Sequence, residues 1–465
     1  METATCARSH TRIAMIVDDD DDGRSLTAYY IRRNNSISTR SRCPGSKALL
    51  KTMTPFILLV VLTVASAKSY DGHRVLKVFV RQQSDVSAIA ALGEQLEVDF
   101  WHYPHHVGDS FQVRVAPEVL GHFMAEIRSL GLDVDVMIDN VQTLVDRERS
   151  ALQRRSRMTS GARTIDFDSY YTMGEIETHL DGLHLTNYTT VEKLLPRTAE
   201  NRALRLVKIS NGESSQDKKT IFIDCGIHAR EWISPAFCLY LIQQLKNDSK
   251  MLEMFDWQII PVSNPDGYVY SHAHERLWRK NRRNNNFFCY GVDLNRNFAT
   301  AWGGEGTSSS MCSDIYRGQG PHSELETQAV ANATLNVASK LIAYLNVHAY
   351  SQFWMLPWGF TNNVIPDDYA RLEEVAYIAI NALYATSGTQ YLVGNPYNTV
   401  KYNAAGGIFD WVKDVLGVKY SYALELRDDG YYGFVLPEDQ IRPTVIETWA
   451  GVRAMACAIH ETGCN

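Results

Sequence analysis

The sequence lacks both an excess of basic residues and a long hydrophobic run. Among its 465 residues, 46 Lys and Arg stand against 53 Asp and Glu, so the formal net charge is -7. The basic residues are not gathered into one stripe, and we therefore expect no nucleic-acid partner. The apolar stretch from Phe56 to Val64 is well short of the roughly 20 residues that span a bilayer. We expect no membrane span in the mature protein.

That apolar stretch lies in a segment typical of a secretory signal peptide. Lys51 precedes it, and the small residues Ala65-Ser66-Ala67 end it. This pattern predicts a signal peptide over residues 53–67, cut after Ala67, and a secreted, extracellular protein. Residues 1–52 contain an aspartate run at 18–22 and show no periodicity. We predict that they are a disordered extension, or that they lie upstream of a true initiator at Met53.

Six of the eight cysteines follow the predicted signal peptide. An even number of cysteines in a secreted chain favours disulfide bonds over zinc-thiolate ligation. Their spacing predicts three local pairs, namely Cys225 with Cys238, Cys289 with Cys312, and Cys457 with Cys464. The same compartment fits glycosylation at the three N-x-S/T sequons, which begin at Asn187, Asn247 and Asn332.

Residues 73–139 alternate between strand and helix patterns. The order is strand, helix, two strands, helix and strand, which predicts a small ferredoxin-like α/β sandwich. The following stretch, NVQTLVDRERSALQRRSRM, has no Gly or Pro and predicts a helical connector. We expect it to end in an exposed basic cleavage site, with Arg154, Arg155 and Arg157.

A histidine cluster lies in a turn of this sandwich, at His102, His105 and His106. These histidines have no neighbouring carboxylate or cysteine, and metal ligation needs a defined geometry and supporting partners. The pattern therefore favours a solvated turn over a metal site.

From about residue 160 the pattern changes to longer alternations of strand and helix. The runs IFIDCGI, WQIIPVS, AYLNVHA and SYALEL are strand candidates, and AFCLYLIQQLK and YARLEEVAYIAINALYATSG are helix candidates. Buried strands separated by helices predict an α/β domain of about 300 residues.

Candidate metal ligands lie where two of these strands end. Ser234 and Pro235 form a helix-start signal, with Ser234 as the N-cap, so His228 and Glu231 lie in a loop between a strand and a helix. Open α/β sheets place their ligand sites at such ends. His348 also ends a strand. A His and a Glu three positions apart can converge on one cation, but a zinc site needs at least one more ligand and an open position for water. Lone histidines at strand ends are usually core or surface residues, so the pattern by itself leaves both interpretations open.

Six motifs then occur in one order: HAREW, LWRK, GVDLNRNF, VHAYSQ, AAGGIFDW and ALELRDDGYYGF. Together they resemble the secreted zinc carboxypeptidases of the pancreatic A/B type over roughly residues 160–460. The upstream sandwich resembles the activation propeptide of these procarboxypeptidases. The resemblance implies an activation propeptide at 68–157 and a mixed-sheet α/β catalytic domain at 158–465. It also implies one Zn²⁺ per chain and a zymogen that a trypsin-like protease activates. We expect a monomer that acts on the C-termini of peptides and proteins.

The resemblance implies a role for each motif residue. His228, Glu231 and His348 would bind zinc, and Asp293 would orient a histidine ligand. Glu425 would act as general base and proton shuttle, and Arg279 would polarise the scissile carbonyl. The group expected to hold the substrate's terminal carboxylate is Asn295, Arg296 and Tyr402. The further residues that we place on the substrate side are Arg230, Tyr350 and Phe409.

Phe409 stands where basic-specific members of the family carry an acid. Gly359, Met355 and Ala423 occupy other positions of the same pocket. An apolar pocket cannot pair a Lys or Arg side chain, so we predict a preference for apolar or aromatic C-terminal residues. The stretch HAREWISPAFC resembles the B-type enzymes instead, so a B-like specificity for Lys or Arg is one alternative. A homologue that binds peptide C-termini without catalysis is another.

Overall fold

The computed structural model describes residues 67–96, 98–102, 108, 110–158, 165–183, 188–212, 218–286, 288–396, 403–460 and 463–464. The N-terminal extension, the predicted signal peptide up to residue 66, His105, His106, Asn187 and Tyr402 lie outside these ranges. Within them, no helix combines the length and the apolar character that crossing a membrane requires.

The first folded part is a four-stranded antiparallel sheet with two helices. Its elements are β1 (Arg74–Phe79), α1 (Gln83–Leu96), β2 (Asp99–His102), β3 (Ser110–Val115), α2 (Pro117–Ser129) and β4 (Val134–Ile138). The strand order is β2-β3-β1-β4. Phe123 and Ile127 are four residues apart in α2, so both face the sheet and both are fully buried. This confirms the predicted ferredoxin-like sandwich.

The predicted connector is helix α3 (Val141–Met158). Arg154 and Arg157 are exposed, but Arg155 is not. Its Nη1 and Nη2 atoms each lie 2.8 Å from an oxygen of Glu175, and its guanidinium lies 4.2 Å from the ring centroid of Tyr171. The expectation that Arg155 is exposed was wrong, while cleavage at this basic stretch stays a prediction. Its planar guanidinium matches a carboxylate in bidentate fashion and is held there.

The second part is an eight-stranded mixed sheet between helices. Its strands are β5 (Thr189–Lys193), β6 (Arg205–Ile209), β7 (Lys219–Cys225), β8 (Phe255–Ile260), β9 (Leu341–Ala349), β10 (Phe353–Met355), β11 (Leu392–Gly394) and β12 (Tyr420–Leu426). Its described helices are α4 (Met173–Leu183), α5 (Ile233–Leu245), α6 (Ser249–Met254), α7 (Pro265–Ala273), α8 (Leu325–Leu335), α9 (Tyr369–Ser387), α10 (Ile408–Leu416) and α11 (Ile441–Ile459). Two 3-10 turns are Leu294–Arg296 and Glu438–Gln440.

The strand order is β11-β10-β12-β9-β7-β8-β6-β5. The central strands β8, β7, β9 and β12 are parallel to one another. The pairs β5–β6, β6–β8 and β10–β12 are antiparallel, and β11 pairs parallel with β10. One face packs on α5, α9 and α11, and the other on α8 and α10. The central strands are buried on both faces, which explains why their sequences are nearly continuous apolar runs. Their carboxyl ends meet at one edge of the sheet.

All three predicted disulfides are present: Cys225–Cys238, Cys289–Cys312 and Cys457–Cys464. The first joins the end of β7 to α5 and so encloses the loop that follows β7. Asn247 and Asn332 are exposed, as glycosylation would require. Their glycosylation stays a prediction.

The start of α5 differs from the prediction. The helix begins at Ile233 with Trp232 as its N-cap, so Ser234 lies inside the first turn and its assignment as N-cap was wrong. The Ser234 hydroxyl accepts from the Gly226 N–H at 2.9 Å and donates to the Val347 carbonyl at 2.6 Å. It thereby joins the ends of β7 and β9, which brings their following residues together.

Candidate metal centre and substrate cleft

His228, Glu231 and His348 converge at the carboxyl ends of β7 and β9. The Nδ1 atom of His228 lies 2.7 Å from Oε1 of Glu231, and the Nδ1 atom of His348 lies 3.1 Å from Oε2. The two Nδ1 atoms are 3.1 Å apart, and all three side chains are buried. Among the described residues, this is the group of His, Cys, Asp and Glu side chains compact enough to hold a metal ion.

The chemistry of these donors fits zinc. Two imidazole nitrogens and one carboxylate leave a fourth position open, as catalytic zinc sites require. Burial alone would raise the pKa of Glu231, but the adjacent His228 and His348 hold it below its ordinary value. Burial and Arg279 lower the pKa of His228. A charged carboxylate and a neutral imidazole are the protonation states that bind a metal.

Asp293 is fully buried behind this group, and its carboxylate contacts both His228 and Arg279. Its Oδ1 lies 3.1 Å from Nε2 of His228, so the imidazole presents Nδ1 to the other ligands. Its Oδ2 accepts from Nε and Nη2 of Arg279 at 3.1 and 2.9 Å. Nη1 of Arg279 reaches within 3.8 Å of Oε1 of Glu231. One carboxylate thus orients a histidine and holds a guanidinium beside the metal group.

Glu425 lies in β12 directly across from His348 of β9. This register brings its carboxylate to the edge of the sheet where the metal group lies. Burial and the nearby Glu231 hold the pKa of Glu425 well above its ordinary value, while Arg279 and Arg296 act in the opposite direction. The position and the raised pKa are those of a group that exchanges protons.

Asn295 and Arg296 lie in the 3-10 turn that Asp293 caps by accepting from the Asn295 N–H at 2.9 Å. The Arg296 side chain is buried and donates to the carbonyls of Gly306 and Asn295, at 2.8 and 3.0 Å. Oδ1 of Asn295 accepts from the Ile408 N–H at 3.0 Å. The turn therefore holds both side chains beside the metal group. Tyr402, the third predicted member of this set, lies outside the described residues.

Phe409 belongs to a separate buried apolar cluster. Its other members are Phe353, Met355 and Ala423. Gly359 borders this cluster, because a Cβ atom there would lie 2.9 Å from the Phe409 ring. The structure therefore brings together Phe409 and the three other pocket positions named from the sequence.

Asp410 is the acid next to Phe409 in the chain, and its carboxylate is turned toward the backbone. The Gly359 N–H lies 2.9 Å from each of its oxygens, and the Phe360 N–H lies 3.1 Å from Oδ2. The side chain is fully buried, and burial raises its pKa to about 7. These backbone donors occupy both oxygens.

The sandwich domain covers Arg230. Nη1 of Arg230 lies 3.1 Å from Oδ1 of Asp99 in β2, and its guanidinium lies 4.0 Å from the ring centroid of Phe434. Asp99 also accepts from Arg114 and from the Trp101 indole, both at 3.0 Å. The Asp99 carboxylate thus accepts from donors in both folded parts.

Tyr350 is covered in the same way. Its hydroxyl lies 2.5 Å from Oε1 of Gln112 in β3. The ring of Trp101 packs edge-on against Tyr350 and Phe434, with centroid distances of 6.2 and 5.1 Å. The two residues assigned to the substrate side, Arg230 and Tyr350, are therefore both contacted by the sandwich.

The connector helix adds a third contact. Glu148 of α3 accepts from Nε and Nη2 of Arg276 at 2.6 and 2.9 Å, and both side chains are buried. Arg276 also donates to the carbonyls of Arg230 and Phe434. This ion pair connects α3 to the backbone beside the covered residues.

Sequence reasoning missed several of these residues. Asn346 lies two positions before His348, so the two-residue period of a strand could have placed it on the same face. Asp410 stood inside a quoted motif without being singled out. No sequence signal marked Asp99, Trp101 and Gln112, because their partners in the catalytic part lie more than 100 residues away.

Comparisons with known proteins agree with this geometry. The family described as zinc carboxypeptidase matches residues 176–451, and the carboxypeptidase activation peptide matches residues 76–148. The chain is 37% identical to carboxypeptidase A2 of Mus musculus over 87% of this chain and 97% of that protein. It is 43% identical to carboxypeptidase B of Astacus astacus over 64% of this chain and 99% of that protein.

A solved structure gives the same result. The crystal structure of thrombin activatable fibrinolysis inhibitor superposes with a TM-score of 0.75 at 32% identity, over 83% of this chain and 98% of that chain. The family match covers more than half of the chain, and the A2 relative covers most of it. With a His-Glu-His metal group and an activation peptide, the chain belongs to the zinc carboxypeptidases, a family of metallo-exopeptidases, and is made as a zymogen.

Proposed function

We propose that the activated enzyme removes C-terminal residues with apolar or aromatic side chains, in the manner of the A-type enzymes. The observation that carries this proposal is the cluster of Phe353, Met355, Phe409 and Ala423. A Lys or Arg side chain in that cluster would be buried without a counter-charge, which costs several kcal/mol. Phe, Leu or a similar residue would instead bury apolar surface there.

Each residue of the cleft has a separate role in hydrolysis. Zinc, when bound, polarises the scissile carbonyl and lowers the pKa of water. Glu425 takes a proton from the attacking water and returns it to the leaving amine. Arg279, held by Asp293, donates to the developing oxyanion. Because Asp293 fixes the guanidinium in advance, little reorganisation is needed in the transition state.

Restriction to the C-terminus follows from Asn295, Arg296 and Tyr402. A guanidinium can accept a carboxylate in bidentate fashion, whereas an internal peptide carbonyl offers one neutral oxygen. Arg296 is positioned by the carbonyls of Gly306 and Asn295. A substrate with a blocked C-terminus would offer this guanidinium no carboxylate.

The propeptide would block the substrate side of the cleft. Asp99 and Gln112 contact Arg230 and Tyr350, the residues that we assign to the part of the substrate preceding the scissile bond. A trypsin-like protease would release this block by cutting among the basic residues at the end of α3 and just beyond it. We further propose that the protein is secreted, cut after Ala67, and acts as a monomer.

A B-like specificity is the second candidate. Two observations favour it: the 43% identity to the Astacus carboxypeptidase B, and the buried carboxylate of Asp410 next to the pocket. Against it, both oxygens of Asp410 already accept from backbone N–H groups. A cationic side chain would have to displace those bonds.

The test is a comparison of kcat/KM for blocked dipeptides that end in Phe, Leu, Lys or Arg. The secreted zymogen is first activated with trypsin and then assayed with and without a zinc chelator. We expect Phe and Leu to exceed Lys and Arg by at least about 100-fold, the equivalent of burying an unpaired charge. Preference for Lys or Arg would establish the B-like alternative. Absence of any chelator-sensitive release would show a homologue without catalysis.

A further inference from the structure

Both metal-group histidines direct Nδ1 to Glu231, so each needs a partner at Nε2. For His228 that partner is Asp293, which the sequence motifs indicated. For His348 it is Oδ1 of Asn346, with which Nε2 makes a short contact. Asn346 and His348 are two positions apart in β9, and the two-residue period of a strand places both side chains on one face.

The orientation of the Asn346 amide is set by Asp224. These residues are cross-strand partners in the pairing of β7 with β9, and both are fully buried. Nδ2 of Asn346 lies 3.1 and 3.0 Å from the two oxygens of Asp224. The same carboxylate accepts from the Tyr344 hydroxyl at 2.7 Å and the Ser263 hydroxyl at 3.2 Å. A carboxylate is an acceptor, so the amide must turn its NH₂ toward Asp224 and its oxygen toward His348.

One neighbour competes for the same ring nitrogen. Nδ2 of Asn295 lies 3.2 Å from Nε2 of His348, and Oδ1 of Asn295 is already taken by the Ile408 N–H. Nε2 can either donate to Asn346 or accept from Asn295, but not both. The contact with Asn346 is the shorter one. Donation from Nε2 to Asn346 leaves the Nδ1 lone pair directed at Glu231, the arrangement in which Nδ1 can bind a metal.

We propose that Asn346, held by Asp224, is a positioning residue that fixes the tautomer and ring orientation of His348 for zinc. The two histidines are then held differently: His228 by a carboxylate, and His348 by a neutral amide backed by a carboxylate. This inference rests on the proposed role of His348 as a zinc ligand. Partners of this kind typically account for 10- to 100-fold in metal affinity.

The first measurement is the zinc dissociation constant of the intact zymogen, obtained by competition with a chelator. We expect Asn346→Leu to weaken zinc binding by about 10- to 100-fold, since Nε2 loses its acceptor. The matched control is Gln258→Leu, which removes a buried amide from β8 of the same sheet. It should leave the zinc dissociation constant within twofold of wild type. Unchanged zinc affinity in Asn346→Leu would overturn the proposal.

Exchanging the side chains of Asp224 and Asn346 provides a second test if Asn346→Leu fails to fold. Asp224→Asn alone should weaken zinc binding, because the amide of Asn346 loses its fixed orientation. Asp224→Asn combined with Asn346→Asp restores a donor and an acceptor across β7 and β9, with a carboxylate facing His348. This double variant should regain wild-type zinc affinity. If the double variant binds zinc no more tightly than Asp224→Asn alone, the proposal that Asp224 acts on His348 through Asn346 is contradicted.

The tautomer itself can be observed by ¹⁵N NMR of the histidine-labelled zymogen after zinc removal, with His348 assigned from the His348→Ala variant. We expect a proton on Nε2 of His348 in wild type and loss of that preference in Asn346→Leu. A proton on Nδ1 in the wild type would overturn the inference while leaving the proposed activity intact. If the wild-type zymogen binds no zinc at all, the proposed function fails together with this inference.

Discussion

Asp99 of the propeptide and Arg230 of the catalytic part form an ion pair, with Nη1 of Arg230 3.1 Å from Oδ1 of Asp99 and with only 9% and 3% of the two side chains exposed. Asp99 accepts from Arg114 and Trp101 as well, so its carboxylate satisfies donors on both sides of the contact. Burial would raise the pKa of Asp99, but Arg230 and Arg114 hold it far below its ordinary value. The two arginines therefore favour the charged form of Asp99.

We predict that Asp99→Asn raises the peptidase activity of the uncut zymogen. The substitution removes the nearer carboxylate partner of Arg230 and leaves only Asp314, whose Oδ2 lies 4.0 Å from Nη1. Truncating one partner of a largely buried charge pair costs about 2–5 kcal/mol. Activity of the intact zymogen on a small blocked dipeptide should rise at least about 10-fold. The control is Asp135→Asn, an exposed carboxylate in β4 of the same sheet. Equal background activity in the two variants would show that the ion pair does not hold the propeptide on the cleft.

Phe409→Asp should shift specificity toward basic residues. The new carboxylate would offer a counter-charge within the cluster formed with Phe353, Met355 and Ala423. We expect the ratio of kcat/KM for Arg over Phe substrates to rise by about 100-fold or more, since burial of an unpaired cation is relieved. Phe409→Leu keeps the pocket apolar and is the control. If both variants keep the same ratio, Phe409 does not set the specificity.

Glu425→Gln should abolish catalysis while zinc stays bound. Glutamine has nearly the same shape but cannot take up a proton, and general acid-base groups typically contribute 10²- to 10⁴-fold. The fall should appear in kcat, with metal analysis giving one zinc per chain. His348→Ala is the contrasting variant, which should lose both zinc and activity. Appreciable kcat in Glu425→Gln would remove Glu425 from the proton transfer.

Stability should fall as the pH rises through the range in which Asp410 titrates. The folded pKa of Asp410 is about 7, against an ordinary value near 3.8 in the unfolded chain. Between those values the folded state holds a proton that the unfolded state has lost. The free energy of unfolding therefore decreases with pH there, at up to about 1.4 kcal/mol per pH unit, and levels off above pH 7.

The measurement is urea unfolding of the zinc-saturated zymogen at several values between pH 4.5 and 8. Asp410→Asn removes the titrating group and should flatten the decline relative to wild type. Glu253→Gln changes an exposed acid in α6, away from Asp410, and should keep the wild-type slope. A slope that is the same in Asp410→Asn and wild type would show that Asp410 does not hold this proton.

The apolar patterns of single strands and helices were sufficient to predict the architecture of both folded parts. Period-two and continuous apolar runs identified β7, β8, β9 and β12, and the strand and helix order identified the ferredoxin-like sandwich. Each of these signals is contained within one element or its neighbours, because it reflects which faces of that element are buried. Local spacing also paired the cysteines correctly, since each bond closes a short loop.

The helix start at Ser234 and the exposure of Arg155 were predicted wrongly. In both cases the side chain binds a partner outside the local motif. The Ser234 hydroxyl bonds to the backbone at the ends of β7 and β9, and Arg155 pairs with Glu175. A capping or cleavage motif in the sequence describes only the local options of a residue. Tertiary contacts decide which option is used.

The sequence by itself determined the family, the two-part organisation and which residues form the His-Glu-His group, because these depend on residue types in a fixed order along the chain. Only the tertiary structure decided that Asn346 faces His348 and that Asp99 meets Arg230. The first contact depends on strand register, which sets Asp224 opposite Asn346. The second depends on two folded parts meeting across 131 residues of sequence. Hydrogen bonds and ion pairs require atoms to lie within a few ångströms of each other, and that distance cannot be inferred from the separation of two residues along the chain.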